Sequence, residues 1–519
     1  RLVSSLRLSM QTPDELNGYE HMFKTQSLHN SWKKLPVWLK SLCIFTAGGI
    51  SALGQAPFDI PALTLFGLAF GIWAIQELGT FKPFLGGWVL GFGYFSGSLY
   101  WIIEPFLVDA AATGWMAPFA LVSLSGGLAI LWGLAFKAVR GCHGLMLCLS
   151  LTAAEFARAY LLTGFPWVLI GYVWIDTPVY QLAAWIGPHG MTFLTLLCAW
   201  GLGRRGSDPV AFRLVAISIV FFIPFLPSIK GPPGASDAPI IRLINPNVAQ
   251  KDKWHLDKMA GVFDYQIMLT KADPQVDLIV WPEASVYMSL DKARHEISEA
   301  AGDASALVGV QRISEELRFY NSAVVIDAKG NISGTYDKNR LVPFGEFIPL
   351  SYWTAKWGLQ DFSGLTGFGF SAGSGAKTIE IAGLGQVQPL ICYEAIFPQY
   401  VGGTLERPAL LILISNDAWF GSFQGPAQHF AQARARTIEL GLPLVRVANR
   451  GVTAIIDARG GIDAVLWPTE RGSIDAQIPI AIPPTFYAKY RDLPLSLLFL
   501  IAFSTIAIGW VRRKFLTIS

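Results

Sequence analysis

The sequence predicts a polytopic α-helical membrane domain joined to one aqueous domain of layered α/β architecture. Of the 519 residues, 52% are hydrophobic and only 15% are charged, whereas soluble domains average about 25% charged residues. The apolar residues concentrate in regions 35–228 and 490–511, while region 238–485 has mixed composition. Because of this uneven distribution, we expect a lipid-embedded part and a separate aqueous part.

Hydropathy predicts eight membrane spans, since each crossing needs ~20 apolar residues. Seven stretches precede the aqueous domain and one follows it: 36–54, 60–77, 83–104, 115–136, 142–162, 181–202, 210–228 and 491–511. The expected organisation is a polar tail (1–34), a membrane domain with seven helices (35–229), the aqueous domain (238–485), an eighth helix (490–512) and a short tail (513–519).

Lys and Arg residues in the short loops predict the orientation, because such loops stay on the cytoplasmic side. Every second loop is basic, with Lys33, Lys34, Lys40, Lys82, Lys137, Arg140, Arg204, Arg205, Arg512, Arg513 and Lys514. The alternate loops Gln55–Asp59 and Pro105–Gly114 contain no Lys or Arg. We therefore expect both termini in the cytoplasm and, in a bacterium, the aqueous domain on the periplasmic side of the inner membrane.

Two charged residues fall inside the fifth predicted span. Glu155 and Arg158 stand three apart on one helical face, so we expect mutual neutralisation rather than a direct role in chemistry. Trp167 follows them in an expected outer-surface loop, where it would anchor the bilayer edge or line a lipid entrance.

Beyond Pro239, short β-branched runs alternate with helical stretches, which predicts layered α/β structure with strands and helices mixed. Expected helices cover 252–272, 291–302 and 426–441, and expected hairpins cover Ser322–Tyr336 and Thr378–Cys392. The expected strands are Ile240–Ile244, Asp277–Trp281, Leu307–Gln311, Ser322–Ile326, Thr378–Ile381, Gln388–Cys392, Leu410–Ser415, Leu444–Ala448 and Thr453–Asp457.

Two chemically useful side chains stand where apolar strands end. Glu283 follows the strand around Ile279, where partial burial would raise its pKa toward that of a general base; the alternative is a surface Glu that caps a helix. Cys392 ends the strand of the second hairpin and is the one cysteine of the aqueous region. A thiol there is a candidate nucleophile whose pKa backbone N–H groups would lower, although a buried core cysteine is the alternative.

Residues 336–349 supply a third group. This segment places Lys338 and Glu346 around a Pro-Phe-Gly turn, and a lysine beside a thiol would stabilise a tetrahedral oxyanion. The alternative is a solvated Lys–Glu pair. Taken together, Glu283, Lys338 and Cys392 match a base, an oxyanion stabiliser and a nucleophile.

The overall charge excludes some function classes. A net charge of only +3 gives no reason to expect a nucleic-acid partner. The sequence has no zinc-type Cys/His spacing and no glycine-rich phosphate loop, so we expect neither a metal nor a cofactor.

At these motifs the chain resembles the nitrilase superfamily and, more closely, the apolipoprotein N-acyltransferase family. The resemblance rests on 54–58, 155–167, Trp281–Glu283, Lys338 with 341–346, Cys392–Glu394 and Asn416–Gly421. It implies an αββα nitrilase sandwich on eight transmembrane helices.

The resemblance also implies site residues and substrates. Glu283 matches the general base, Lys338 the oxyanion-stabilising lysine and Cys392 the acylated nucleophile. Supporting residues are Glu346, Tyr393 and Glu394, and Trp254 and Trp419 match tryptophans of the substrate cleft. The implied partners are a phospholipid acyl donor, a diacylated apolipoprotein acceptor and membrane lipids.

One departure concerns the start of the first strand motif, where Asn245-Pro-Asn247 stands in place of an expected Gln, so the match of Trp254 is weaker. The aromatic and glycine-rich segment 351–375 is interpreted as an apolar arm over the cleft, with a partly disordered loop as the alternative. Two other functions share parts of the pattern: a membrane-anchored amidase that uses water as acceptor, and a transporter or receptor whose outer domain only binds.

Overall fold

A computed structural model describes residues 32–76, 82–141, 144–203, 227, 229–253, 255–271, 273–349 and 369–516. Four predictions fall wholly or largely outside this range. They concern the polar tail apart from residues 32–34, the seventh span apart from residue 227, Trp254, and the part of the apolar arm that covers residues 351–368.

The N-terminal part folds into apolar helices that follow the predicted spans closely. They are α1 (Val37–Ala52), α2 (Pro61–Gln76), α3 (Pro83–Ser98), α4 (Ala117–Ala138), α5 (Gly144–Tyr160) and α6 (Ala183–Gly203). Among the described residues, Ala110–Ala138 and Pro178–Gly203 are long and apolar enough to cross a membrane, whereas Val37–Ala52, Pro61–Gln76 and Leu493–Thr505 are shorter apolar helices. The number of eight spans therefore stays a prediction.

Glycines permit a close contact between α1 and α3. A Cβ atom at Gly48 of α1 would lie 2.1 Å from the Leu90 carbonyl oxygen of α3, and one at Gly93 of α3 would lie 2.0 Å from the Phe45 carbonyl oxygen. The two backbones therefore pack directly on each other, as small residues allow in apolar helix pairs.

The α/β part contains two six-stranded sheets. The first sheet has strand order β12-β1-β2-β3-β4-β5 and the second has order β11-β10-β9-β8-β7-β6. The strands are β1 (Ile240–Asn245), β2 (Leu278–Val280), β3 (Ser305–Ile313), β4 (Phe319–Ile326), β5 (Ile332–Asp337), β6 (Ile379–Ile381), β7 (Gly385–Ile391), β8 (Leu410–Asn416), β9 (Leu444–Asn449), β10 (Thr453–Ile456), β11 (Ile462–Leu466) and β12 (Gly472–Gln477). Every predicted strand and both hairpins are confirmed, while β11 and β12 were not predicted.

Side chains that alternate along the strands build the four layers. In β2, Leu278 and Val280 belong to the core between the sheets, and Ile279 belongs to the core beneath the outer helices, as the two-residue period of a strand requires. Helices α7 (Leu256–Thr270) and α8 (Leu290–Ala301) cover the first sheet, and α9 (Gln424–Leu440) packs on the second. The predicted αββα arrangement is confirmed.

The α/β part rests on one end of the helical part. Helix α9 lies against α6 as well as against the second sheet, and the chain returns to the helices through α10 (Leu493–Leu516). The contacting loops include Phe58, whose ring meets Phe423, and Trp101, whose indole N–H donates to Gln428 Oε1 at 3.1 Å. The loops on this side, 53–60, 99–116 and 161–182, contain no Lys or Arg.

The charged pair of α5 is neutralised internally, as predicted. Arg158 Nη2 lies 2.5 Å from Glu155 Oε2, and both side chains are buried. Arg158 also donates to the carbonyl oxygens of Phe165 and Trp167, each at 2.6 Å. The expectation of a surface Trp167 was wrong: its ring is fully buried because its indole N–H donates to Gln428 Oε1 at 2.8 Å, which draws the loop under α9.

Candidate active site

The chemically useful side chains stand just after the carboxyl ends of three strands. Glu283 stands three residues after β2, Lys338 directly follows β5, and Cys392 directly follows β7. β2 runs parallel to β3, and β5 regains that direction through two antiparallel pairings. Because the two sheets pack face to face, the fold brings all three predicted residues together.

The ammonium group of Lys338 forms hydrogen bonds with two carboxylates. Its Nζ atom lies 2.7 Å from Glu346 Oε1 and 3.3 Å from Glu283 Oε1, and Lys338 is 1% exposed. The side-chain amide of Asn321 donates to Glu283 Oε1 at 2.7 Å and to Glu346 Oε1 at 3.4 Å. A buried ammonium has three N–H donors, so one remains for a substrate oxygen.

The second oxygen of Glu346 fixes the Pro-Phe-Gly turn. Glu346 Oε2 accepts the backbone N–H of Val342 at 2.8 Å. Glu346 is thus tied to the backbone on one side and to Lys338 on the other. These contacts fix the position of the lysine side chain, and the supporting role of Glu346 stays a prediction.

Cys392 occupies a strained backbone conformation at the start of a short 3-10 helix, residues Cys392–Ile396, which we call the nucleophile turn. Its φ angle is +51°, a left-handed conformation that costs a non-glycine residue about 1–3 kcal/mol. The residue is 5% exposed. The thiol is close enough to Glu283 and Lys338 for both charges to act on it.

The pKa directions of the base and the nucleophile are opposite to those expected from the sequence. Burial raises the pKa of the Cys392 thiol well above its usual range, and the Glu283 charge adds to this. Burial would also raise the pKa of Glu283, but the Lys338 and Lys253 cations outweigh it, so that this pKa lies below the usual carboxyl range. The resting site therefore holds a carboxylate beside a neutral thiol.

Such a resting state sets the order of events. A thiol with a raised pKa does not ionise by itself, so the nearby carboxylate must take its proton as the sulfur attacks. Lys338 keeps its charge, because Glu346 and Glu283 raise its pKa despite the opposing effect of burial. The site is thus built for nucleophilic attack on a carbonyl group, with cationic stabilisation of the oxygen.

Glu394 links residues 336–340, which we call the lysine segment, to the nucleophile turn. Its Oε1 atom accepts the Tyr336 hydroxyl at 2.7 Å and the backbone N–H groups of Asn339 and Arg340 at 2.8 and 3.1 Å. Its Oε2 atom accepts the Ile391 N–H at 2.8 Å. Burial raises the pKa of Glu394, and these hydrogen bonds offset part of the rise. Glu394 thus bridges two segments of the site, and its supporting role stays a prediction.

The remaining predicted site residues are Tyr393, Trp419 and Trp254. Tyr393 is buried and points to the helical part, where its hydroxyl donates to the Gly164 carbonyl oxygen at 3.4 Å. Trp419 belongs to a 3-10 turn after β8 and is 42% exposed. The structure does not describe Trp254, so its expected place in the cleft remains a prediction.

Sequence reasoning missed two residues of the site, Asn321 and Lys253. Lys253 donates to the Glu283 carbonyl oxygen at 2.8 Å, and burial lowers its pKa to about 8 although Glu283 and Cys392 oppose the shift. Asn321 lies near the start of β4, and no motif around it in the sequence indicates a role in the site. The one available hint for Lys253 was its position beside Trp254, which the resemblance places in the substrate cleft.

Within the described residues, no group of three or more His, Cys, Asp or Glu side chains is arranged to hold a metal ion. The candidate catalytic groups are one carboxylate, one ammonium and one thiol, a set that can support nucleophilic attack on a carbonyl group.

Comparison with known families gives two matches that divide the chain as the fold does. Residues 47–201 match the apolipoprotein N-acyltransferase N-terminal domain, and residues 244–481 match the carbon-nitrogen hydrolase family. The second match covers both sheets and includes all the candidate catalytic residues, and it agrees with a nitrilase-like fold.

Curated relatives cover nearly the whole chain. The apolipoprotein N-acyltransferase of Bradyrhizobium diazoefficiens is 36% identical over 507 residues, which cover 90% of this chain and 94% of the relative. That of Sinorhizobium fredii is 35% identical over 478 residues, covering 85% and 90%. Among solved structures, an amidase from Nesterenkonia sp. is 16% identical with a TM-score of 0.36 and covers 52% of this chain and 98% of its own. The fold assignment rests on the strand order and the family match rather than on that superposition.

Proposed function

Because the chain belongs to the apolipoprotein N-acyltransferase family, and is therefore an acyltransferase that N-acylates lipoproteins, we propose that Cys392 carries the acyl chain as a thioester. The proposed donor is a membrane phospholipid. The proposed acceptor is the α-amino group of an S-diacylglyceryl-cysteine at the N-terminus of an apolipoprotein.

In the first half-reaction, Glu283 takes the proton of the Cys392 thiol while the sulfur attacks the sn-1 ester carbonyl of the phospholipid. Lys338 and a backbone N–H group stabilise the oxyanion. The carbon–oxygen bond then breaks, Glu283 returns the proton to the glycerol oxygen, and a lysophospholipid leaves. The lowered pKa of Glu283 supports this role, since the carboxylate is ionised before attack.

In the second half-reaction, the neutral α-amine of the acceptor attacks the thioester carbonyl. The carbon–sulfur bond breaks, an amide forms, and Glu283 passes the proton from the amine nitrogen to the Cys392 sulfur. The site returns to its resting state with a neutral thiol and an ionised carboxylate.

The single observation that supports a lipid substrate is the position of the nucleophile turn against the helical part. Tyr393 of the turn donates to the Gly164 carbonyl oxygen in the loop that follows α5, at 3.4 Å. Gln399, three residues after the turn, donates to the Ala159 carbonyl oxygen in the last turn of α5, at 3.0 Å. The reactive thiol therefore stands at the border between the α/β part and the apolar helices. Trp419 (42% exposed) and Phe423 (61% exposed) add apolar surface on the segment between β8 and α9.

The proposed topology has eight membrane spans, both termini in the cytoplasm and the catalytic domain (238–485) on the periplasmic side of the inner membrane. Two observations support it. The loops that meet the α/β part lack Lys and Arg. At the opposite end of the helices, Lys82 directly precedes α3 and Lys137 lies in the last turn of α4. The positive-inside rule assigns that opposite end to the cytoplasm.

An acyl-transfer assay with purified protein in detergent tests the proposal. The donor is phosphatidylethanolamine labelled in the sn-1 chain, and the acceptor is a synthetic diacylglyceryl-cysteine peptide. The wild type should convert the peptide to the labelled N-acyl form, and Cys392→Ala should give none. Release of free labelled fatty acid without peptide acylation would instead identify a hydrolase, and equal transfer by Cys392→Ala would exclude the thioester.

A further inference from the structure

A buried histidine outside the predicted triad contacts the nucleophile turn. His429 of α9 is fully buried, and its Nε2 atom lies 3.1 Å from the Cys392 carbonyl oxygen. A ring nitrogen facing a carbonyl oxygen must carry the hydrogen, so Nε2 is the donor.

The ring of His429 is fixed by a hydrogen-bond partner at Nδ1 and by two aromatic rings. Its Nδ1 atom lies 3.0 Å from Asp417 Oδ1, and Asp417 is itself fixed by Arg446 Nη2 at 2.6 Å. Trp167 stacks on the ring with centroids 5.6 Å apart, and Phe420 meets it edge-on. Burial alone would raise the pKa of Asp417, but Arg446 and His429 hold it well below the usual range. The Nδ1 atom of His429 lies beside both this carboxylate and the Arg446 guanidinium, whose Nη2 atom is 3.2 Å away.

The carbonyl oxygen of Cys392 and the N–H of Tyr393 belong to one peptide group. That peptide is planar and trans, so its N–H points away from its carbonyl oxygen. The carbonyl points to α9, which lies outside the second sheet. The Tyr393 N–H therefore points toward the first sheet, from which Lys338 approaches the thiol.

We propose that His429 is a positioning residue that fixes the Cys392–Tyr393 peptide, so that the Tyr393 N–H becomes the second donor to the oxyanion beside Lys338. This inference rests on the proposed function of Cys392 as an acylated nucleophile. It gives a reason for the +51° φ angle of Cys392, since that conformation turns the carbonyl toward His429.

Two substitutions at one position separate this role from mere support of the fold. The amide of His429→Asn reaches only the place of Nδ1 and retains a partner for Asp417, whereas the amide of His429→Gln reaches the place of Nε2. The control is His189→Gln, because His189 is also fully buried and faces an aspartate, Asp492, at 3.2 Å. Its ring contacts are with Phe156 and Tyr160 of α5, outside the nucleophile turn.

Each variant is measured in two reactions of Cys392. One is single-turnover acylation by phosphatidylethanolamine labelled in the sn-1 chain, which forms an oxyanion. The other is alkylation by iodoacetamide, which forms none. His429→Asn should acylate about 10²-fold more slowly than wild type, the loss known for a missing oxyanion donor, yet alkylate within about threefold. His429→Gln should recover at least a tenth of the wild-type acylation rate, and His189→Gln should acylate like the wild type.

Three outcomes overturn the inference: acylation by His429→Asn within about threefold of wild type, equal losses in acylation and alkylation, or no advantage of Gln over Asn. If either variant at His429 fails to fold while His189→Gln folds, the ring supports the fold and the inference is also wrong. Failure of the proposed function looks different, because the wild type itself would then form no acyl-Cys392.

Discussion

Replacing Glu394 by Gln tests how the lysine segment and the nucleophile turn are held together. The carboxylate accepts three donors on Oε1 and the Ile391 N–H on Oε2. With the amide oxygen in the Oε1 position, the amide NH₂ group faces the Ile391 N–H, so that two donors meet. A buried N–H without an acceptor costs about 1–3 kcal/mol.

The three remaining hydrogen bonds also weaken, because an ionised acceptor forms bonds about twice as strong as a neutral one. With a further ~1–3 kcal/mol from this source, the loss in the free energy of unfolding is about 2–6 kcal/mol. Since 1 kcal/mol shifts the Tm of a domain of this size by about 2–4 °C, Tm should fall by at least ~4 °C. Displacement of Lys338 by even 1 Å should lower the acylation rate about 10²-fold.

The assay combines thermal unfolding in detergent with single-turnover acylation of Cys392. The control is Glu380→Gln, since the Glu380 carboxylate accepts only an exposed hydrogen bond from Gln386 and should change stability by no more than ~0.5 kcal/mol. If Glu394→Gln leaves Tm within ~1 °C of wild type and acylation within about threefold, Glu394 does not hold the lysine segment.

Three further outcomes follow from the charges of the site. On the acid side, the acylation rate should fall only below the ordinary carboxyl pKa of 4.5, because the pKa of Glu283 is lowered. On the alkaline side, the rate should not rise near pH 9.0, because the raised pKa of Cys392 prevents free ionisation of the thiol there. A rise near that pH would contradict the coupled proton transfer. Lys253→Met removes a cation that favours ionised Glu283, so the acid limb of the pH–rate profile should move to higher pH, and an unmoved or lowered limb would refute this role of Lys253. Arg446→Met leaves Asp417 buried without its main cation, which should destabilise the domain by about 3–5 kcal/mol in thermal unfolding, and an unchanged Tm would argue against the pair.

Local patterns carried the prediction of the catalytic residues. Glu283 and Cys392 were identifiable because each follows an apolar strand that is buried in the fold. These strands belong to different sheets, and the packing of one sheet on the other brings the two residues together. The layered α/β class followed from strands that alternate with helices. The edge strands β11 and β12 were missed because their half-buried residues give no clear apolar run.

Features that depend on contacts between distant segments escaped the sequence. The pKa direction of Glu283 depends on two lysines, one 30 residues before it and one 55 residues after it, and only the fold brings both together. Asn321 and His429 likewise reach the site from β4 and α9. Trp167 looks like a surface aromatic until α9 covers it.

Intact-protein mass spectrometry of the wild type, after incubation with phosphatidylethanolamine and no acceptor, tests the thioester on Cys392 most directly. We expect a mass increase of one acyl chain located on Cys392 and persistence of that adduct in water. We also expect its loss when the diacylglyceryl-cysteine peptide is added, with the chain recovered on the peptide. Product formation without any adduct on Cys392, or an adduct that water removes as fast as the peptide does, would contradict the thioester mechanism.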